Sequence, residues 1–179
     1  MSNTALAYRL SEIEPAGLQV HAPLSQESLR EALGELGADI PRCSAKLDAH
    51  LSKQKLTVLC SGQLRGSLTL PCQRCLEAAK VEVDAPLHTV FTPAPGEVDV
   101  TDAADDADDV DYAHHDGETV DLWPTVREQL ILAVPMSVLC QEDCRGLCPS
   151  CGVDRNTTTC DCQPAPQLSA FSALRGVKL

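Results

Sequence analysis

With 179 residues, 44% of them hydrophobic, the chain is about one domain long and apolar enough for an ordinary core, which excludes disorder throughout. Aromatic residues are only 3%, so Leu, Val and Ala must fill that core. The formal charge of −12 argues against broad phosphate neutralisation, yet it is concentrated: eleven acids and no Lys or Arg lie between Glu97 and Asp121, leaving fifteen acids against fourteen bases elsewhere.

The N-terminal stretch "MSNTALAYRLSEIEPAGLQVHAPLS" has neither the basic start nor the apolar run of a signal peptide. No run of about 18 apolar residues is present to span a membrane. The expected compartment is therefore the cytoplasm, where thiols stay reduced and clustered cysteines more often bind metal than pair.

The first periodic segment, "PLSQESLREALGELGAD", predicts a short amphipathic helix. Ser25 is placed to cap it, Leu29, Ala32, Leu33 and Leu36 to line one face, and Gly37 to end it. The period then changes from about 3.6 to 2. Cys43, Ala45, Leu47, Ala49 and Leu51 alternate, as do Leu56, Val58 and Cys60. Leu64, Leu68, Leu70 and Cys72 follow, with Gly66 breaking the pattern, and then Val81, Val83, Ala85, Leu87 and Phe91. Four alternating segments with short polar turns predict an antiparallel meander with one wet face.

The acidic stretch 97–119 is self-repelling and reads as a flexible loop, either a solvated spacer or an anionic surface for a basic partner. His114 and His115, next to Asp116, read as loop residues rather than ligands. "DLWPTVREQLILAVP" predicts a second helix capped by Asp121 and stopped by Pro135, with Leu122, Val126, Leu130, Ile131 and Val134 toward the sheet. "LSAFSALRG" suggests one or two helical turns through Ser169, Phe171, Leu174 and Gly176. The expected organisation is one α+β domain over 1–96 and 120–162, an acidic loop over 97–119 and a tail over 163–179. The fold class is an antiparallel β-meander packed by helices, ending in a cysteine-rich metal-knuckle segment.

Six of the ten cysteines fall between Cys140 and Cys162. In "CPSCG", Cys148 and Cys151 with Gly152 behind them form a tight knuckle, and "CDC" adds Cys160 and Cys162, completing the four soft ligands that structural zinc prefers. Disulfides, unligated thiols, a redox pair and an iron–sulfur site use the same residue type and fit less well. Cys72 and Cys75, in "PCQRCLE", and Cys140 with Cys144 supply two further pairs. These either build a second four-cysteine site that clamps the C-terminal segment to the sheet or leave one ion and several spare thiols. Spacing admits one ion or two, with one preferred. Cys43 and Cys60 fit the strand alternation as small core residues. No Ser/His/Asp set, H-E-x-x-H or phosphate-cradling Gly loop is present, and a closed four-sulfur site offers zinc no open position, so no enzymatic activity and no small-molecule substrate are expected.

In combination, "PCQRCLEAAK", "DLWPTVREQLILAVPMSVLC" and "CQEDCRGLCPSCG" resemble the YceD family, bacterial and plastid proteins linked to accumulation of large-subunit ribosomal RNA. The likeness covers about residues 40–92 and 119–179, including a closing "PAPQLSAFSALRG". It departs from the family's pattern at Asp154 and Arg155, where a leucine region is usual. Some members lack the C-terminal cysteines, which makes any metal there a local brace and ties Cys72 and Cys75 most closely to the shared function. The resemblance implies a non-enzymatic accessory factor in large-subunit (23S rRNA) production, binding precursor RNA, a ribosomal protein or a processing enzyme. The alternative is a metal-dependent RNA-processing hydrolase, and a third reading is a thiol redox sensor. With so few bases, any RNA contact must be local, through Arg65, Arg74, Arg127, Arg145 and Arg155. Protein contact is slightly favoured, with the acidic loop drawing a basic partner.

Overall fold

The computed structural model describes residues 6–94 and 111–162. Five strands form one sheet in the order β2-β3-β4-β5-β6: β2 (Leu18–Pro23), β3 (Ser44–Gln54), β4 (Thr57–Pro71), β5 (Ala78–Pro93) and β6 (Asp111–His115). The first four pair antiparallel, whereas β6 lies parallel to β5, so the α+β fold carries a mixed sheet. A short β1 (Ala7–Arg9) pairs with β7 (Thr119–Asp121) as a separate ribbon. Two helices, α1 (Gln26–Leu33) and α2 (Trp123–Leu132), complete the core.

α1 starts where the sequence places it, with the Ser25 hydroxyl accepting the Ser28 N–H at 3.1 Å. Leu29, Ala32 and Leu33 are buried, but a 3₁₀ turn over Gly34–Leu36 rotates Leu36 out to 41% exposure. In α2, Leu122, Val126 and Leu130 are buried as expected, together with Trp123, while Ile131 and Val134 are half-buried. The Asp121 carboxylate accepts the Trp123 N–H at 2.9 Å, which satisfies a free donor at the helix start.

The second and third alternating segments are one strand, β4. Gly66 does not break it: the inward positions Val58, Cys60, Gly62, Leu64, Gly66, Leu68 and Leu70 keep a single phase along its length. The glycines are a packing requirement. Gly62 pairs with Ala49 and Gly66 with Ala45, and the backbones approach so closely that a Cβ on Gly62 would sit 2.5 Å from the Asp48 carbonyl oxygen. On Gly66 it would sit 2.4 Å from that of Ser44. Leucines on either side fill the face where the strands allow it.

Part of the span expected to be loop is strand. Residues 97–110 of that reading lie outside the described residues, as does the expected C-terminal helical turn within 163–179. Residues 111–119 contain β6 and the turn into β7. Here the backbone ladder with β5 and the burial of His115 outweigh the local charge, whose acids point outward. His115 offers one ring nitrogen to the Leu56 carbonyl at 2.6 Å and the other to the Gly117 N–H at 3.0 Å, so it acts as a satisfied structural residue.

Replacing Gly62 or Gly66 with Ala is expected to cost about 1–3 kcal/mol, the range for overpacking a core. Urea unfolding of each variant checks this, and an unchanged midpoint would show that the strands can move apart.

Candidate metal centres

β4 and β5 are the two longest strands, paired from Val58↔Phe91 to Pro71↔Ala78. The segment joining them, residues 72–77, is the "CQRCLE" knuckle, so the hairpin itself delivers Cys72 and Cys75 to the end of the sheet. The Cys72 N–H donates to the Glu77 carbonyl at 2.8 Å and the Leu76 N–H to the Cys72 carbonyl at 2.9 Å. The "CPSCG" segment repeats this pattern: Cys148 N–H to Val153 carbonyl at 2.8 Å, and Gly152 N–H to Cys148 carbonyl at 2.8 Å. Gly152 takes φ +74° there, and Leu76 takes the equivalent φ of +66° despite its side chain. A glycine behind the second cysteine marks one knuckle and misses the other.

The chain leaving α2 then returns across the first knuckle. Gln73 donates its N–H to the Val138 carbonyl at 2.9 Å and its carboxamide to the Met136 carbonyl at 3.1 Å. This brings Cys140 and Cys144 over Cys72 and Cys75. The Cys72 and Cys144 sulfurs are 3.8 Å apart, and those of Cys75 and Cys140 are 3.5 Å apart. The four sulfurs all lie within 4.8 Å of one another, and so do those of Cys148, Cys151, Cys160 and Cys162. The eight thiols thus gather as two sets of four, where spacing alone favoured one.

The donor sets fit a metal. Four thiolates at about 2.3 Å from a tetrahedral ion have sulfur–sulfur edges of about 3.8 Å, far longer than a disulfide bond. The two inner-set separations lie close to that edge, and both sets are compact enough to hold one ion each. The inner set (Cys72, Cys75, Cys140, Cys144) is buried except at Cys140; in the outer set only Cys148 is buried. Cys43 and Cys60 belong to neither and pack in the core. Burial pushes the Cys60 thiol up to about 12.

Each set contains one thiol poised to ionise. Burial opposes the Cys72 thiolate, but the backbone N–H groups of Arg74, Cys140 and Cys75 converge on its sulfur and hold its pKa at about 6. The N–H groups of Cys151 and Ser150 hold Cys148 at about 6. Other thiols of each set resist ionisation. Burial and the surrounding sulfurs push Cys140 to about 12, and the nearby Cys151 with burial does the same for Cys162.

The arginines are placed unevenly. Arg65 pairs with Asp84 at 3.2 Å on the sheet face, and Arg127 is exposed on α2. Arg74 spends its guanidinium on the Cys144 carbonyl at 2.9 Å. Arg74, Arg145 and Arg155 nevertheless sit on adjoining segments, since Leu147 N–H bonds the Arg74 carbonyl and Arg155 N–H the Gly146 carbonyl. Asn156, which sequence reasoning did not single out, donates to the Cys144 sulfur at 3.4 Å. Spacing gives no signal for such a contact, because it joins residues that only the fold brings together.

The family described as large ribosomal RNA subunit accumulation protein YceD matches residues 60–178, a span that holds both sets. The chain is 26% identical over 160 residues to "Large ribosomal RNA subunit accumulation protein YCED homolog 1, chloroplastic" of Zea mays, covering 76% of this chain and 54% of that protein. It is 31% identical over 107 residues to an uncharacterized protein of Mycobacterium tuberculosis, covering 60% of this chain and 49% of the relative. An uncharacterized protein of Bacillus subtilis is 29% identical over 124 residues, covering 68% of this chain and 67% of that protein. The chain spans about half the length of the first two relatives. No solved structure matches it.

Loading each set at pH 7 should release fewer than four protons per ion, because Cys72 and Cys148 are already largely ionised there. Affinity should fall as pH is lowered across the neutral range and fall more steeply below about 6, where Cys72 and Cys148 take up their protons as well. Calorimetry in buffers of different ionisation enthalpy measures both. Cys148→Ser should abolish uptake at the outer set and leave the far-ultraviolet circular dichroism of the sheet intact; loss of the sheet signal would show that the two ends fold as one.

Proposed function

The chain belongs to the YceD family, and on that premise we propose that it is a non-enzymatic accessory factor for large-subunit ribosomal RNA accumulation. Its cysteine-rich end, braced by two structural zinc ions, holds a precursor RNA, a ribosomal protein or a processing enzyme. The observation that carries this reading is the extent of the family match, which runs from within β4 through both cysteine sets. The proposed compartment is the cytoplasm, where these thiols would remain reduced. No helix among the described residues is long and apolar enough to cross a membrane.

Zinc supplies charge compensation for thiolates and fixed tetrahedral bonds. The residues do the rest. Cys72 and Cys75 hold the hairpin end, Cys140 and Cys144 tie the segment leaving α2 to it, and Cys148, Cys151, Cys160 and Cys162 close the outer loop. With four sulfurs in each set, a bound ion has no vacant position for water, which supports a structural role over hydrolysis. Arg145 and Arg155 are exposed on segments that backbone pairing brings beside Arg74, which suits them to a local phosphate contact. The acidic span Glu97–Asp121 suits the complementary task of attracting a basic protein, an association that salt would weaken.

Purified under reducing conditions, the protein should carry two zinc equivalents by elemental analysis. Crosslinking in cells should attach it to large-subunit precursor RNA or to proteins of its assembly. Changing Arg145 and Arg155 together to Glu should cut that yield several-fold at unchanged zinc content. Crosslinks only to molecules unconnected with the ribosome would sink the assignment.

A further inference from the structure

Asn156 lies between Cys151 and Cys160, on the loop that the outer set closes, yet its side chain serves the inner set. Its Nδ2 donates to the Cys144 sulfur at 3.4 Å and to the Asp154 carboxylate at 2.7 Å. Its Oδ1 accepts the Arg145 N–H at 2.7 Å and the Gln141 carboxamide at 3.4 Å. Its own backbone N–H goes to Asp154 Oδ1 at 2.9 Å. These partners fix the amide's orientation: the Arg145 N–H can only donate and the Asp154 carboxylate can only accept, so the N–H₂ end must face Asp154 and the sulfur.

The backbone repeats the connection. Leu147 bridges Asp154, and the Arg155 N–H reaches the Gly146 carbonyl at 3.0 Å. On the other side, Leu147 N–H binds the Arg74 carbonyl at 2.9 Å, and the Arg74 guanidinium binds the Cys144 carbonyl at 2.9 Å. One chain of contacts therefore runs from the outer loop through residues 144–147 to the inner knuckle. Residues 152–159 have no fully buried side chain to hold them, so beyond these hydrogen bonds the outer set is what can fix the loop's shape.

We propose that the two centres bind their ions cooperatively, with Asn156 as the positioning residue that couples them. The proposal rests on the two-ion reading above and adds a regulation to it. Filling the outer centre with a soft divalent ion orders the loop and presents the Asn156 N–H to the Cys144 thiolate, which tightens the inner centre. Linkage requires the reverse as well: filling the inner centre tightens the outer one by the same factor. Outer contacts of this kind typically change metal affinity about 10- to 100-fold.

The test uses the full chain loaded with zinc, competed with a chromophoric chelator, and loaded with ¹¹³Cd to resolve the two centres by NMR. Asn156→Ala should loosen the inner ion at least about tenfold, with both cadmium resonances retained. Cys160→Ser with Cys162→Ser, which dismantles the outer centre without touching Asn156, should loosen the inner ion by a similar factor. Adding Asn156→Ala to that pair should produce little further change. Inner affinity within twofold of the wild type in both variants, or fully additive effects, would overturn the coupling. A wild-type chain that takes up fewer than two ions would overturn the two-ion reading and this proposal together, an outcome that stoichiometry alone distinguishes.

Discussion

The cysteine-rich end is governed by the mutual repulsion of sulfurs held at contact distance. Four thiols within 4.8 Å cannot all ionise unaided: burial and then the neighbouring sulfurs push Cys140 up to about 12, and Cys151 and then burial do the same for Cys162. A cation reverses the balance, turning the least tolerable arrangement of charge into the most stable one. Hydrophobic burial offers little alternative here: between Leu139 and Cys162 only Cys144, Gly146 and Cys148 are buried. The order of this segment therefore rests on backbone and side-chain hydrogen bonds and, when an ion is bound, on its bonds to sulfur.

The rest of the chain works on the opposite principle. Leu47, Leu51, Leu64, Leu68 and Phe91 are almost fully buried on one face of the sheet, where α1 and α2 cover them, and no ion is needed for that. The two regimes meet at the β4–β5 hairpin. Its long antiparallel ladder is set by apolar pairs such as Leu68↔Val81 and Leu70↔Ala79, and its connecting segment is the first knuckle. The inner centre thus inherits a rigid foundation from the sheet, while the outer centre is built wholly on loop. This difference in support accounts for the difference in exposure between the two sets.

Much of this was legible in the residues. The alternation through β3, β4 and β5 reports the inward face nearly position by position, and Ser25 marks the start of α1. Gly66 misled because a missing side chain looks like an interruption, when here it is what lets β4 close on β3. The strand at Asp111–His115 was hidden by its charge: composition reads acids as loop, whereas a strand needs only alternate residues to turn inward. β2 was obscure because its apolar signal, Leu18, Val20 and Ala22, is short and ends at Pro23. The cysteine spacings named all eight sulfurs and offered this grouping but left open whether the second set forms, which is decided by how the segment leaving α2 docks on Gln73. Asn156 was invisible for the same reason, since it gains its role only from partners brought near by the fold, and Leu76 because glycine is the usual mark of the left-handed position it takes.

Trp123 is the single tryptophan of the chain, 4% exposed, with its indole N–H on the Glu31 carboxylate at 3.1 Å. It therefore ties α2 to α1 and belongs to the apolar half of the protein. Its emission is a built-in optical gauge of that half, blue when the helices are seated and red when water reaches the ring. Chelator exchange reports on the sulfur half without any such label. With ions bound, the molecule would carry two clocks, one for each kind of cohesion, and the order in which they run down can be read on the native protein.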